Sequence, residues 1–233
     1  MSLTSRVLEA LGTVYDPELD EPITSLGFVG SCVVTAEGDV AVRLRLPTPQ
    51  CAPNFAYLMA ADARAAVRRL PEVRDVTVVL EDHYTGAEIN AAVGRGDEFD
   101  AAFPGETAGS LDALRELFQR KALLARQARV CQAMLDDGAT AETVVERRVA
   151  DLPDIPDAVR VAALRAELGL PYDDDAPALI AGDGASLTAD DLPMWLRRAK
   201  LVSLSLEANG GMCRDLLRAR YGSGNPNHQE VAA

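Results

Sequence analysis

Val40-Ala41-Val42-Arg43-Leu44-Arg45-Leu46-Pro47-Thr48-Pro49-Gln50-Cys51-Ala52-Pro53 decides how the first part of this chain folds. Across residues 40–46 the valines and leucines fall on one side and the arginines on the other. That period of two predicts a half-buried antiparallel strand. Pro47 to Cys51 then reads as a short loop. Pro53 suits the first position of a helix, where a missing N–H costs nothing. From there Phe55, Leu58, Met59, Ala66, Val67 and Leu70 make an apolar stripe, with Asp62 as its polar interruption, until Pro71-Glu72.

Upstream, Val7, Leu8, Leu11 and Val14 recur at helical spacing, with Thr4 or Ser5 as the expected N-cap. Asp16-Pro17-Glu18 ends that helix, because proline disfavours the α conformation in the residue before it. A loop over Glu21–Gly27 leads to a strand around Phe28–Thr35, and Ala36-Glu37-Gly38-Asp39 turns the chain into the alternating strand. Downstream, Val76–Leu80 is a third strand. The order α-β-β-α-β predicts an α+β domain, a small sheet with helices on one face, over residues 1–93. Residues 94–109, with four glycines and a proline, read as a linker. From Leu111 the pattern turns helical, so residues 110–222 are expected to form a mainly α-helical region. Helices are expected over Ala141–Ala150, Asp157–Leu168 and Ala189–Ala208, with Thr188 and Asp191 as a capping pair. Gly210-Gly211 reads as a stop before a short helix over Met212–Arg220. The polar residues 223–233 are expected to be a disordered tail.

Composition narrows the function. The net charge of −13 over 233 residues argues against nucleic-acid binding, which requires a basic surface to release counterions. No apolar run approaches the roughly 20 residues that span a bilayer, and the first residues lack the charge-then-apolar plan of a secretory leader. No membrane association and a cytoplasmic location are therefore expected. Cys32, Cys51, Cys131 and Cys213 are widely spaced with no C-x-x-C pair, so zinc-ribbon and dithiol signatures are absent. Cys32 within a strand and Cys131 on an apolar helical stripe read as core.

Chemistry points to Cys51. It lies between a strand end and a helix start, where unpaired N–H groups and the helix dipole favour a thiolate, the form that ligates soft metals. Asp16 and Glu18 follow the first helix, and a compact α-β-β-α-β domain would bring them toward the Cys51 loop. Thr48 adds a hydroxyl. Read by residue type alone, however, Cys51 is equally a small buried hydrophobe, and Asp-Pro-Glu a plain turn. His83, directly after the third strand, is a further candidate metal ligand, against a simple hydrogen-bonded histidine.

Asp16-Pro17-Glu18, Ile23, Leu26-Gly27-Phe28-Val29 and Thr48-Pro49-Gln50-Cys51, in that order, resemble the SufT/PaaD-type family of iron–sulfur assembly factors. Val73-Arg74-Asp75-Val76-Thr77-Val78 matches the family's strand after its second helix. The resemblance covers residues 6–80. It implies site residues Asp16, Glu18, Thr48 and Cys51, with Cys51 as the metal ligand and iron or an iron–sulfur cluster as transient cargo. It also implies client metalloproteins and other iron–sulfur assembly proteins as partners. Pro47 replaces the family's first threonine, and the proline expected straight after the cysteine is displaced by Ala52 to Pro53. One thiol cannot hold a cluster, which takes about four such ligands, so a homodimer or a client would complete it.

Three readings compete. The first is a metallochaperone-like maturation factor without catalytic residues, acting on clients through Cys51. The second is an interaction scaffold whose helical C-terminal region binds a partner such as a multicomponent monooxygenase subunit. The third is a thiol enzyme with Cys51 as nucleophile and His83 as its base.

Overall fold

The alternating stretch becomes the middle strand of a three-stranded sheet. The computed structural model describes residues 1–106 and 110–222, so the tail over 223–233 and residues 107–109 of the expected linker lie outside the described residues. In chain order the elements are α1 (Leu3–Leu11), β1 (Tyr15–Asp16), β2 (Glu21–Pro22), β3 (Val29–Val34), β4 (Asp39–Arg45), α2 (Pro53–Arg68), β5 (Asp75–Glu81), α3 (Gly86–Arg95) and α4 (Phe99–Ala102). There follow α5 (Asp112–Asp136), α6 (Ala141–Glu146), a 3-10 turn over Val149–Asp151, α7 (Pro156–Glu167) and α8 (Leu192–Tyr221). The chain is α+β, as its pattern predicts.

The sheet order is β3-β4-β5. β4 pairs antiparallel with β3, Cys32 opposite Val42, and parallel with β5, where Val42 faces Val78 and Leu44 faces Leu80. Val40, Val42, Leu44, Val76, Val78 and Leu80 are all buried, whereas Ala41, Arg43 and Thr77 are exposed. The alternation thus sorts core from solvent on two neighbouring strands at once. Parallel neighbours cannot be joined by a hairpin, and α2 makes the crossover, packing on β5 and on α1. A parallel pair also ends at one edge of the sheet. The loops after β4 and after β5, residues 46–52 and 82–85, are thereby brought side by side.

Local capping departs from the sequence pattern in one place. Ser2, and neither Thr4 nor Ser5, caps α1, its Oγ accepting from the Ser5 N–H at 3.2 Å. β1 and β2, an antiparallel two-residue ladder with Asp16 opposite Glu21, carry too few residues to leave a periodic signal. Gly38 turns β3 into β4 with φ of 87°, and a β-carbon there would stand 2.4 Å from the Glu72 carbonyl oxygen.

The chain divides into two compact units, Met1–Ala113 with Asn209–Ala233, and Leu114–Ala208. Within the second unit Leu123, Val130, Cys131, Val144, Val161, Leu164 and Leu179 form the core. Arg165 is fully buried there, and its Nη1 and Nη2 donate to the carbonyls of Pro177 (2.7 Å) and Ala178 (2.6 Å) and to Gln127 Oε1 (2.9 Å). Thr188 caps as expected, accepting from the Asp191 N–H at 3.2 Å. The expected helix over Ala141–Ala150 stops at Glu146, because Arg147 turns extended. Gly210-Gly211 does not stop α8, which runs through both. At Gly210 a β-carbon would meet Glu21 Oε1 at 2.6 Å, so the missing side chain serves close approach and not termination. Among the described residues no helix is long and apolar enough to cross a membrane.

Candidate functional site

The loop after β4 holds Cys51 ahead of α2. Its half-buried side chain has Thr48 Oγ1 at 3.6 Å from Sγ, and its N–H donates weakly to the Thr48 carbonyl at 3.4 Å. α2 begins at Pro53 with Ala52 as its N-cap and no side-chain cap bond. Cys51 therefore precedes the N-cap, and the displaced proline sets it one position further from the helix than a Cys-Pro pair would.

His83, from the loop after β5, fastens this loop through its backbone. Its Nε2 lies 2.7 Å from the Cys51 carbonyl oxygen. A carbonyl only accepts, so Nε2 carries the proton and donates. Nδ1 then keeps its lone pair and accepts from the Thr85 N–H (3.3 Å) and hydroxyl (3.1 Å). The Tyr84 N–H reinforces the join by donating to the Pro49 carbonyl at 3.1 Å. Burial lowers the pKa of His83 from the ordinary 6.5; its bond to Cys51 works against this and the Arg220 charge works with it. The structure thus brings His83 to Cys51 with both ring nitrogens engaged.

Asp16 ends β1 and Glu18 lies in the turn that follows. Asp16 Oδ1 accepts from the backbone N–H groups of Glu18 and Leu19, each at 2.9 Å, which folds Asp16-Pro17-Glu18-Leu19 around one carboxylate oxygen. Among the described residues Oδ2 takes no hydrogen bond. Asp16 is 7% exposed, and burial raises its pKa from 3.8 to about 6, overcoming the two N–H bonds, while Glu18 and Glu21 add to the rise. This is a carboxyl that exchanges its proton just below neutrality.

The last turns of α8, absent from the sequence-predicted site, lie on the same unit. Arg214 pairs with Glu21 at 2.6 Å. Arg220 donates to the carbonyls of Leu46 (3.2 Å) and Asp82 (2.7 Å), the residues that lead into the Cys51 and His83 loops. Tyr221 reaches Asp82 Oδ2 at 3.0 Å and stacks under the Arg45 guanidinium, 5.1 Å from the ring centroid. Cys213, between these anchors, is within electrostatic range of Asp16, Cys51 and Glu18, and burial first, with their charges, pushes its thiol to about 11. Cys32 and Cys131 are buried, each pushed by burial to about 11, as their core positions imply. The signal for Cys213 was present in sequence as a helical spacing, concealed by the glycine pair.

Comparison with known proteins agrees with these motifs. The family described as "Iron-sulfur cluster assembly protein" matches residues 4–80. An uncharacterized protein of Methanocaldococcus jannaschii is 37% identical over 84 residues, covering 36% of this chain and 86% of that one. An iron-sulfur cluster carrier protein of Deinococcus radiodurans is 36% identical over 91 residues, covering 39% of this chain and 23% of that longer protein. No solved structure matches the chain. Through residues 4–80, which hold Asp16, Thr48 and Cys51, the chain belongs to the iron–sulfur cluster assembly protein family.

Proposed function

We propose that this chain is a maturation factor that passes iron or an iron–sulfur cluster to client metalloproteins in the cytoplasm, with Cys51 as the cargo ligand. The observation that carries the reading is the mounting of Cys51. Its backbone is fastened by His83, while among the described residues its sulfur's hydrogen-bond contact is the long one to Thr48. A side chain that takes up and releases cargo must be held in place through its main chain and left free at its tip. Asp16, with one oxygen unbonded, supplies a carboxylate to the same unit, and Glu18 a second. One thiol is short of the roughly four ligands of a cluster, so the client, another assembly protein or a second copy of this chain completes the coordination. No catalytic residue is assigned. His83 serves as the loop's fastener; acting as a ligand would require it to release Cys51 or Thr85.

Anaerobic reconstitution with ferrous iron and sulfide tests this by visible absorption of the wild type and Cys51→Ser. Uptake is expected in the wild type and lost in the variant; uptake that survives Cys51→Ser sinks the reading.

A second reading has its own observation. Leu201 and Leu204 on α8 are 70% and 61% exposed, three residues apart on one helix face. Such a pair suits partner docking, and the chain would then be a scaffold. Replacing both with lysine would abolish client co-purification while Cys51→Ser left it intact.

A further inference from the structure

The parallel ladder of β4 and β5 ends at Arg45 opposite Glu81. One residue further on, Leu46 and Asp82 lead into the loops that carry Cys51 and His83, past the reach of the ladder. One side chain of α8 spans the two strands there. Arg220 Nη1 donates to the Leu46 carbonyl at 3.2 Å and Nη2 to the Asp82 carbonyl at 2.7 Å. A guanidinium holds two acceptors at a fixed separation, which the point charge of an ammonium does not. The Tyr221 hydroxyl donates to Asp82 Oδ2 at 3.0 Å, and its ring lies against Arg45, whose Nε pairs with Glu81 at 2.7 Å. A second observation comes from Asp82 itself. Its φ is 52°, in the left-handed region that an L residue holds where its surroundings over-determine it. Both its carbonyl and its carboxylate are bonded to α8. The residues this turn aims are His83, whose Nε2 fastens the Cys51 carbonyl, and Tyr84, whose N–H fastens that of Pro49.

We propose that Arg220 and Tyr221 are positioning residues of the Cys51 site: they hold the Asp82 turn in its left-handed conformation and so keep His83 on the Cys51 carbonyl. This rests on the reading of Cys51 as cargo ligand and adds two residues that the family match over 4–80 does not include. Both act on Cys51 through other residues. The Arg220 fork takes one carbonyl from each loop, so its release frees both loop mouths at once. Asp82 then relaxes toward negative φ, and the turn carries His83 away from the Cys51 carbonyl. Arg220 also stacks on the Tyr221 ring, 5.0 Å from its centroid, so the two side chains form one clamp. The end of α8 thereby sets how firmly the cargo thiol is presented.

Alkylation of Cys51 in the full-length protein, followed by mass spectrometry, tests it, with hydrogen exchange at the Tyr84 amide as a second local readout. Arg220→Lys keeps the charge but cannot span both carbonyls. Tyr221→Phe keeps the ring against Arg45 and loses only the bond to Asp82. Each is expected to speed alkylation of Cys51 and exchange at Tyr84 roughly fivefold or more, the factor that losing a hydrogen bond implies. Alkylation of the buried Cys32 on β3 is expected to stay at its wild-type rate. Wild-type rates at Cys51 and Tyr84 in both variants overturn the proposal. Equal acceleration at Cys32 also overturns it, because the clamp would then serve general stability. Anaerobic titration with Co(II), read by sulfur-to-cobalt charge-transfer absorption, separates this proposal from the reading beneath it. Arg220→Lys is expected to need severalfold more Co(II), and Cys51→Ser to lose the absorption. Absorption lost in Cys51→Ser but titrating as wild type in Arg220→Lys overturns the positioning role and leaves Cys51 as the ligand. Absorption unchanged in Cys51→Ser overturns the Cys51 reading, and the proposal with it.

Discussion

Asp16→Asn is the substitution that best separates stability from function in this molecule. The amide keeps Oδ1, so both N–H bonds from Glu18 and Leu19 survive, while the buried charge is removed. A carboxyl raised from 3.8 to about 6 holds its proton more tightly in the folded chain than in the unfolded one. Folding therefore loses stability as pH rises through that interval, and the full cost is present above it. A shift of about 2 units corresponds to about 3 kcal/mol. Asp16→Asn should stabilise the protein by up to about 3 kcal/mol at pH 8, about 2 kcal/mol at pH 5.5 and less than about 1 kcal/mol at pH 4. Urea unfolding of both proteins, followed by circular dichroism at several pH values on either side of the isoelectric point near 4.6, reads the difference directly. Co(II) or iron uptake by the same variant should fall. A variant less stable than wild type at pH 8, or a difference that does not shrink toward acid pH, would refute the account of Asp16.

His83→Ala removes the donor to the Cys51 carbonyl and the acceptor for Thr85; it should cost about 1 kcal/mol and speed alkylation of Cys51, measured by mass spectrometry. Because His83 is held below 6.5, its contribution is present above that pH and lost as pH falls and the ring takes a second proton. Nδ1 then cannot accept, so hydrogen exchange at the Thr85 amide, corrected for intrinsic rate, should accelerate in acid. Gly38→Ala should destabilise by more than about 2 kcal/mol, since its φ of 87° is left-handed and an added β-carbon would overlap the Glu72 carbonyl oxygen; thermal unfolding checks it. Arg165→Leu should cost at least about 3 kcal/mol by leaving buried carbonyls without donors, while leaving cobalt absorption at Cys51 unchanged.

Much of the first unit was legible because its elements are local and periodic. Residues 40–46 announce β4 through their alternation, and Pro53 announces α2. The site was legible only where it follows that framework. Cys51 and His83 could be placed at the ends of strands, but their contact depends on β4 and β5 running parallel, which the chain does not write in any one segment. The role of His83 was likewise open in sequence, where a histidine after a strand suits a ligand as well as a fastener. Only the 2.7 Å approach of Nε2 to a carbonyl assigns its proton. β1 and β2 are too short for a period, and Asp16 owes its burial to the turn they frame. At Gly210-Gly211 the pattern was read by the commoner meaning of glycine at a helix end, which hid the continuity of α8 and with it the placing of Cys213.

Two buried charges show how structure distinguishes support from chemistry where sequence cannot. Arg165 and Asp16 are both ionisable residues that folding removes from water. Arg165 spends Nη1 and Nη2 on the carbonyls of Pro171, Pro177 and Ala178 and on the Gln127 side chain, and burial lowers it only to about 10, so it stays charged near neutrality. Its bonds join α7 to the chain over 171–180 and to α5, a structural task completed within the second unit. Asp16 satisfies one oxygen, leaves the other open, and is brought to about 6, where a proton is readily exchanged. The two terminal nitrogens of Arg165 are committed to protein acceptors, while its buried Nε has no partner among the described residues. A carboxyl bonded through one oxygen and raised toward neutrality suits the ligand role that the proposed function gives Asp16. If Asp16 is a cargo ligand as proposed, a bound cation offsets its buried charge, so cargo binding should raise the stability of this turn at neutral pH.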